Sequence, residues 1–106
     1  MKPQAFHPAP DDHKTSVFRV QGLKEPKIWK LGEIYVARPR CKELHARADL
    51  SVADVVTIGL RVESKEPPRR HANIIDWPAE KSAMMSWAQE VAAGATLRLR
   101  VPNTAD

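Results

Sequence analysis

The sequence predicts one small domain of the α+β or α/β class, with a mixed sheet of about four strands and three helices on one face of it. The chain has 106 residues, a length typical of a single domain. Segments with an apolar residue at every second position alternate with segments of helical apolar spacing, in the order β-α-β-α-β-α-β. The predicted strands are half polar, which indicates that helices cover only one face of the sheet.

The two ends of the chain are predicted to lie outside this domain. Residues 1–15 contain three prolines, two aspartates and two histidines and have little to bury, which favours a flexible N-terminal arm. The domain is then expected to cover residues 16–102, with residues 103–106 as a C-terminal tail.

A strand and a helix are the first two predicted elements. Residues 16–21, SVFRVQ, are rich in β-branched and aromatic side chains, which predicts a strand. Residues 26–37 begin with a proline, which suits a first helical turn, and their apolar side chains recur at helical spacing. An alternative is a short helix that ends near Gly32, followed by a strand over residues 34–37.

The middle of the chain predicts a strand, a short helix and a second strand. Residues 44–50 alternate most cleanly, with leucine and alanine on one face and histidine, arginine and aspartate on the other. Ser51 is expected to cap a helix over residues 52–58, and Gly59 to end that helix in a left-handed conformation. Residues 60–63 are the third predicted strand.

The last helix has the most regular pattern of all. Residues 79–94 place apolar side chains at helical spacing, with Pro78 near the start and Gly94 near the end. Residues 96–102, TLRLRVP, alternate leucine and valine with threonine and arginine until the proline stops the strand.

Composition and charge indicate the cellular setting and the kind of partner. Hydrophobic residues make up 42% of the chain and charged residues 28%, close to the averages of globular proteins. The net charge of +4 favours an anionic partner, an acidic protein or a nucleic acid. The single cysteine excludes an internal disulfide, and the chain has neither a signal sequence nor an apolar run long enough to span a membrane. We therefore expect a cytoplasmic protein without a membrane partner.

Residues 66–81, EPPRRHANIIDWPAEK, are the segment richest in chemically active side chains. The two prolines disfavour helix, and the segment is predicted to form a loop, held to the core by its isoleucines. Four side chains of this loop are the leading candidates for contact with an anion or a nucleotide: Arg69, Arg70, His71 and Asn73. The alternative is a well-anchored loop with ordinary surface charge.

A second candidate surface is the open face of the predicted sheet. Three arginines from two strands are expected there: Arg47, Arg98 and Arg100. Two basic strands that meet on one face would bind anions. The alternative is a solvated face whose cross-strand ion pairs contribute little. Cys41, four residues before His45, is a possible nucleophile, but we favour a small structural residue near the start of a strand.

The sequence lacks the motifs of the common catalytic classes. It has no glycine-rich phosphate loop, no paired cysteines at zinc spacing and no nucleophile elbow, so neither a cofactor nor a metal site is expected and catalytic residues are not identified. The leading hypothesis is a basic binding module without catalysis that engages an acidic protein or a nucleic acid through the loop over residues 66–77 and the basic sheet face.

Two alternatives stay open. One is a small hydrolase or transferase that acts on a phosphorylated or nucleotide-like substrate, with His71 as acid/base, Asp76 or Asp49 as its orienting partner, and Arg69 or Arg70 on the phosphate. The other is an accessory protein that forms oligomers through an exposed edge strand at residues 96–101.

Overall fold

The structure, a computed structural model, describes residues 2–101, so the predicted C-terminal tail at residues 103–106 lies outside the described residues. The fold is of the α+β class, with three α-helices and five strands. The helices are α1 (Glu25–Gly32), α2 (Val52–Ile58) and α3 (Lys81–Gly94). The strands are β1 (Thr15–Phe18), β2 (Ala46–Asp49), β3 (Arg61–Ser64), β4 (His71–Ile75) and β5 (Thr96–Leu99).

The described chain divides into two compact units. The first unit consists of residues 2–19 and 49–96, and it contains β1, α2, β3, β4 and α3. The second unit consists of residues 20–48 and 97–101, and it contains α1 and nearly all of β2 and β5.

The five strands form two antiparallel sheets, so the prediction of one mixed four-stranded sheet is not confirmed. In the first unit the strand order is β1-β4-β3, with Ser16 opposite Asn73 and Glu63 on the other side of Asn73. In the second unit β2 pairs with β5 alone. The element order differs from the predicted one by a single insertion, β4, which lies inside the segment predicted to be a loop.

Strand β4 is the centre of the three-stranded sheet because it pairs with β1 on one side and β3 on the other, and its residues alternate between the two faces of the sheet. Ala72 and Ile74 are 0% and 1% exposed, whereas His71 and Ile75 are only partly buried. A six-residue connection, residues 65–70, joins β3 to β4, and so short a connection suits an antiparallel pair. The two apolar residues that we expected to anchor a loop therefore belong to a strand.

In the first unit, α2 contacts α3 and β3, and α3 contacts the N-terminal 3₁₀-helix. The apolar core of the unit lies at these contacts. Its most deeply buried members include Leu60, Ala88 and Val91, and Trp77, which is 4% exposed, also belongs to the core. Phe6, in the 3₁₀-helix Pro3–Phe6, is 6% exposed, and its carbonyl accepts a hydrogen bond from Thr15 Oγ1 at 2.8 Å.

The predicted boundaries of α2 are confirmed. The backbone N–H of Asp54 donates to Ser51 Oγ at 3.0 Å, which satisfies one of the free donors of the first turn. Gly59 follows the helix with φ +120, and a Cβ on it would lie 2.7 Å from the ring of Trp87. Glycine is required there both by the backbone conformation and by the close approach of the ring.

In the second unit, α1 begins as the sequence predicted, with a proline in its first turn. The helical path continues through a π-helical turn at Glu33–Ala37 and a 3₁₀ turn at Arg38–Arg40, so the alternative of a strand over residues 34–37 is not observed. Cys41 ends this path in the left-handed conformation with φ +51. Ala37 is the one buried hydrophobic residue among the described residues of this unit.

Candidate functional site

The side chain of His71 joins two neighbouring strands on the polar face of the three-stranded sheet. Its Nε2 lies 2.6 Å from the hydroxyl oxygen of Ser16 on β1. Its Nδ1 lies 2.7 Å from the backbone carbonyl oxygen of Lys65, just after β3. Ser16 is two register positions from the residue opposite His71, Phe18, so the contact is diagonal across the sheet.

These two contacts determine which ring nitrogen of His71 carries the proton in the neutral imidazole. A carbonyl oxygen can only accept, so Nδ1 is the nitrogen that donates, to Lys65. Nε2 then holds the lone pair and accepts the hydrogen bond that the Ser16 hydroxyl donates. The result is a serine hydroxyl in contact with a base that a third group orients.

The surroundings of this pair are half exposed and partly aromatic. The ring of Phe18 meets the ring of His71 edge to face, with 5.4 Å between their centroids. Ser16 is exposed and His71 partly buried, so a solute can reach the serine oxygen. Asn73, a predicted site residue, is 7% exposed and lies on the same face of β4 as His71.

The two arginines of the predicted loop lie in the turn that leads into β4. Arg69 is exposed. Arg70 has φ +72, its backbone N–H donates to Glu66 Oε2 at 2.9 Å, and its guanidinium reaches the carbonyl oxygen of Arg19 at 3.4 Å. Glu66 also accepts from Arg19 at 3.4 Å, so this carboxylate balances part of the positive charge of the turn.

The arginines predicted for the basic sheet face lie in the second unit, where two of them pair with glutamates. Arg47 makes a two-pronged contact with Glu25 at 2.7 and 2.8 Å and stacks over the ring of Trp29 at 4.7 Å. Arg100 pairs with Glu33 and lies 5.8 Å from the same ring.

The pKa of Glu25 is changed by these neighbouring arginines. The hydrogen bond from Arg47, together with the nearby positive charge, lowers the pKa of Glu25 below its ordinary value. Arg98, the third predicted arginine, is exposed and contributes to the same shift from a distance. The structure thus brings Arg47 and Arg100 to the ring of the same tryptophan, in a cluster that also contains the glutamates with which they pair.

Asp76, one of the two carboxylates that could have oriented His71, pairs with an arginine instead. Asp76 has φ +71 and pairs with Arg61, whose hydrogen bond lowers the pKa of Asp76. Asp76 does not cap the next helix, because α3 begins at Lys81, after Glu80. The partners of the His71 ring are Ser16 and the Lys65 carbonyl.

Ser16 is the site residue that the sequence analysis missed. The predicted first strand already contained the signal, because period-two alternation from Ser16 to Phe18 places both on one face. The sequence did not reveal that His71 lies on a strand, β4, that pairs with the strand of Ser16.

Positive charge is distributed unevenly between the two units. Residues 20–48 and 97–101 contain nine lysines and arginines against three glutamates, a formal net charge of +6. Residues 2–19 and 49–96 contain eight lysines and arginines against nine aspartates and glutamates, a formal net charge of −1. The second unit therefore holds the basic character of the whole described chain.

Of the second unit's exposed lysines and arginines, six have side chains that make no hydrogen bond or ion pair with any residue in the range 2–101. They are Lys24, Lys27, Lys30, Arg38, Arg40 and Lys42, and we call them the exposed cation set. Two of the unit's three glutamates already pair with arginines, and the third, Glu43, lies 3.7 Å from His45.

Three further features concern metal binding, the single cysteine and membrane-spanning helices. Among residues 2–101, no three histidine, cysteine, aspartate or glutamate side chains converge as ligands for a metal ion. Cys41 is exposed beside Arg40 and Lys42. No helix in the same range is both long enough and apolar enough to cross a membrane.

Comparison of the chain with protein-family models, with curated proteins and with solved structures found no match.

Proposed function

We propose that the protein is a small basic module that binds an anionic partner, a nucleic acid or an acidic protein. The observation that carries the proposal is the exposed cation set. Six positive side chains in one unit are exposed and form no ion pair with a carboxylate of residues 2–101. Anions concentrate near such a surface, and the release of their counterions on binding adds favourable free energy.

The arginine cluster around Trp29 supports the proposal in a different way. Arg47 is only 14% exposed and is already bound to Glu25. A guanidinium that is paired and stacked in this manner orders the unit, while lysines on its surface remain available. We therefore expect the exposed cation set to contribute more to partner binding than Arg47 and Arg100 do.

The turn before β4 offers a separate contact in the first unit. Arg69 is exposed, and its side chain has no hydrogen bond or ion pair among the described residues. His71 is turned toward Ser16, so its ring is the less available of the two for an anion. A single charge contributes little affinity, and Arg69 is expected to adjust binding and not to determine it.

The salt dependence of binding tests the electrostatic basis of the proposal. Fluorescein-labelled double-stranded DNA, single-stranded RNA and a poly-glutamate peptide are titrated with the protein at several salt concentrations. For a duplex that contacts six phosphates, affinity is expected to fall about 10³-fold between 50 and 200 mM salt. Affinity that does not change with salt for any of the three would contradict the proposal.

Charge-reversal variants then locate the surface. The triple variant K24E/K27E/K30E is compared with K2E/K65E/K81E, which changes the net charge equally at exposed lysines of the first unit. The first variant is expected to reduce the slope of log affinity against log salt for DNA by about three, since each phosphate contact contributes about one. Equal losses of affinity in both variants would show that binding depends on the net charge of the protein and not on the position of the lysines.

A second candidate function is self-association through β5. The strand has one hydrogen-bonded neighbour, β2, and its apolar side chains project into water. Leu97, Leu99 and the adjacent Val101 are 51%, 70% and 82% exposed. Size-exclusion chromatography with light scattering tests the candidate: a mass twice that of the chain, reduced to one chain by Leu99→Lys, supports it, and a strict monomer contradicts it.

A further inference from the structure

We infer that Ser16 is a nucleophile activated by His71, and that the polar face of the three-stranded sheet can accept an acyl group from an ester. The inference goes beyond anion binding and uses only residues of the first unit. It rests on two contacts that join three groups in series: the Ser16 hydroxyl, the His71 ring and the Lys65 carbonyl.

The protonation pattern of these groups is the one that nucleophilic catalysis requires. A serine hydroxyl is a weak nucleophile until a base removes its proton as it attacks. Nε2 of His71 is that base, at 2.6 Å, because Nδ1 keeps its own proton for the Lys65 carbonyl. The carbonyl holds the ring in this tautomer and orientation, the task that a third group performs in hydrolytic triads.

The position of Ser16 on an edge strand gives the site its access. Arg19 donates its backbone N–H to the carbonyl of Arg70 at 2.9 Å, so Arg19, Val17 and Thr15 bond toward β4. The N–H of Ser16 consequently points away from β4, toward the outer edge of the sheet. A carbonyl oxygen that approaches along this edge meets that N–H, a donor able to stabilise negative charge on the oxygen.

The reaction proceeds in two balanced steps. The oxygen of Ser16 attacks the ester carbonyl carbon while its proton passes to Nε2 of His71, and the carbon–oxygen bond to the alcohol then breaks. The departing alkoxide takes the proton from Nε2, which leaves an acyl group on Ser16. Water next attacks that acyl group while its proton passes to Nε2 of His71, and the bond to Ser16 breaks as Nε2 returns this proton to the serine oxygen, so that a carboxylic acid and the free serine result.

The ring of Phe18 points to the class of substrate. Its ring lies 5.4 Å from the His71 ring on the same face of the sheet as Ser16, and this provides an apolar surface beside the reacting oxygen. The site is shallow and exposed, so a small ester with an apolar acyl group and a good leaving group suits it better than a buried peptide bond does.

Covalent labelling tests the inference. The full chain is incubated with p-nitrophenyl acetate and, separately, with a fluorophosphonate probe, and the modified residue is identified by peptide mass spectrometry. We expect a burst of p-nitrophenol up to one equivalent and a single label on Ser16. Ser16→Ala should abolish both, whereas Ser86→Ala, which removes an exposed hydroxyl from α3, should leave both unchanged.

A second variant tests the role of the base. His71→Gln keeps hydrogen-bonding capacity but cannot take the proton, so it should slow labelling of Ser16 by about 10²-fold or more. Its far-UV circular dichroism spectrum is compared with that of the unmodified chain to establish that β4 is intact. The inference is overturned if Ser16 is not labelled, if Ser16→Ala is labelled as fast as the unmodified chain, or if a folded His71→Gln keeps the full rate.

Discussion

The two units of this protein differ in the number of their buried hydrophobic residues and in their net charge. The first unit holds eight of the nine buried hydrophobic residues of the described chain and is close to neutral, at −1. The second holds one buried hydrophobic residue and a formal net charge of +6. Most of the buried apolar core and most of the net positive charge thus lie in different parts of the chain. The unpaired cations are in the unit that contains little of the core.

The largest effect that tests this comparison concerns the apolar core. Ile74→Ala removes a side chain that is 1% exposed in the central strand, and it should lower the free energy of unfolding by about 2–5 kcal/mol. Leu99→Ala, at a residue of the second unit that is 70% exposed, should change it by about 0.5 kcal/mol or less. Chemical denaturation of both variants measures the difference. Equal losses would mean that the second unit carries stability that burial does not reveal.

A pair of glycine substitutions tests the close packing of the first unit. Gly59→Ala places a methyl group 2.7 Å from the ring of Trp87 and should cost about 2–3 kcal/mol. Gly22→Ala also has positive φ, +82, but its Cβ meets no atom within 4 Å, so only the backbone cost of about 1 kcal/mol is expected. Thermal unfolding of the two variants gives the contribution of the ring contact by subtraction. Equal losses of stability in the two variants would show that the ring of Trp87 moves aside at no cost.

The smallest effect concerns one ion pair in each unit and its dependence on pH. The pKa values of Glu25 and Asp76 are both lowered, each first by the hydrogen bond of its arginine, from ordinary values of 4.5 and 3.8. Each carboxylate therefore contributes stability that is complete above its ordinary pKa and is lost as the pH falls through the lowered one. Glu25→Gln should reduce stability at pH 7 more than Asp76→Asn does, because Arg47 is 14% exposed and Arg61 is 68% exposed.

Urea unfolding from pH 7 to pH 2 checks this expectation. The curve of each variant should move toward that of the unmodified chain as the pH falls, because protonation of the carboxylate in the unmodified chain weakens its ion pair. A difference that persists unchanged at pH 2 would assign the loss to packing and not to charge.

The sequence predicted the elements whose signals are local. Ser51 and Gly59 mark the ends of α2, and the structure has the cap and the positive φ at those two positions. Residues 79–94 predicted the last helix to within two residues of α3. A capping side chain or a run of helical spacing depends on near neighbours, so one sequence suffices to find it.

Strand β4 was not predicted because its sequence signal is weak and because it is stabilised by residues that lie far away along the chain. His71, Ala72, Asn73 and Ile74 do alternate polar with apolar, but a second isoleucine follows, and two prolines and two arginines precede them. Pairing with β1 and β3 on both sides, which no short window contains, makes this segment a strand. The same omission hid Ser16, whose partner His71 is 55 residues away along the chain.

The two ladders of β4 join partners at very different distances along the chain. Its pairs with β3 link residues that are 8 to 14 positions apart, whereas its pairs with β1 link residues that are 53 to 59 apart. Loop-closure entropy grows with the logarithm of that separation, so the β3–β4 hairpin should form early in folding and β1 should join it afterwards. Substitutions in the hairpin are then expected to slow folding, and substitutions in β1 to speed unfolding. The strand that carries Ser16 is thus the last part of the sheet to assemble and the first to open.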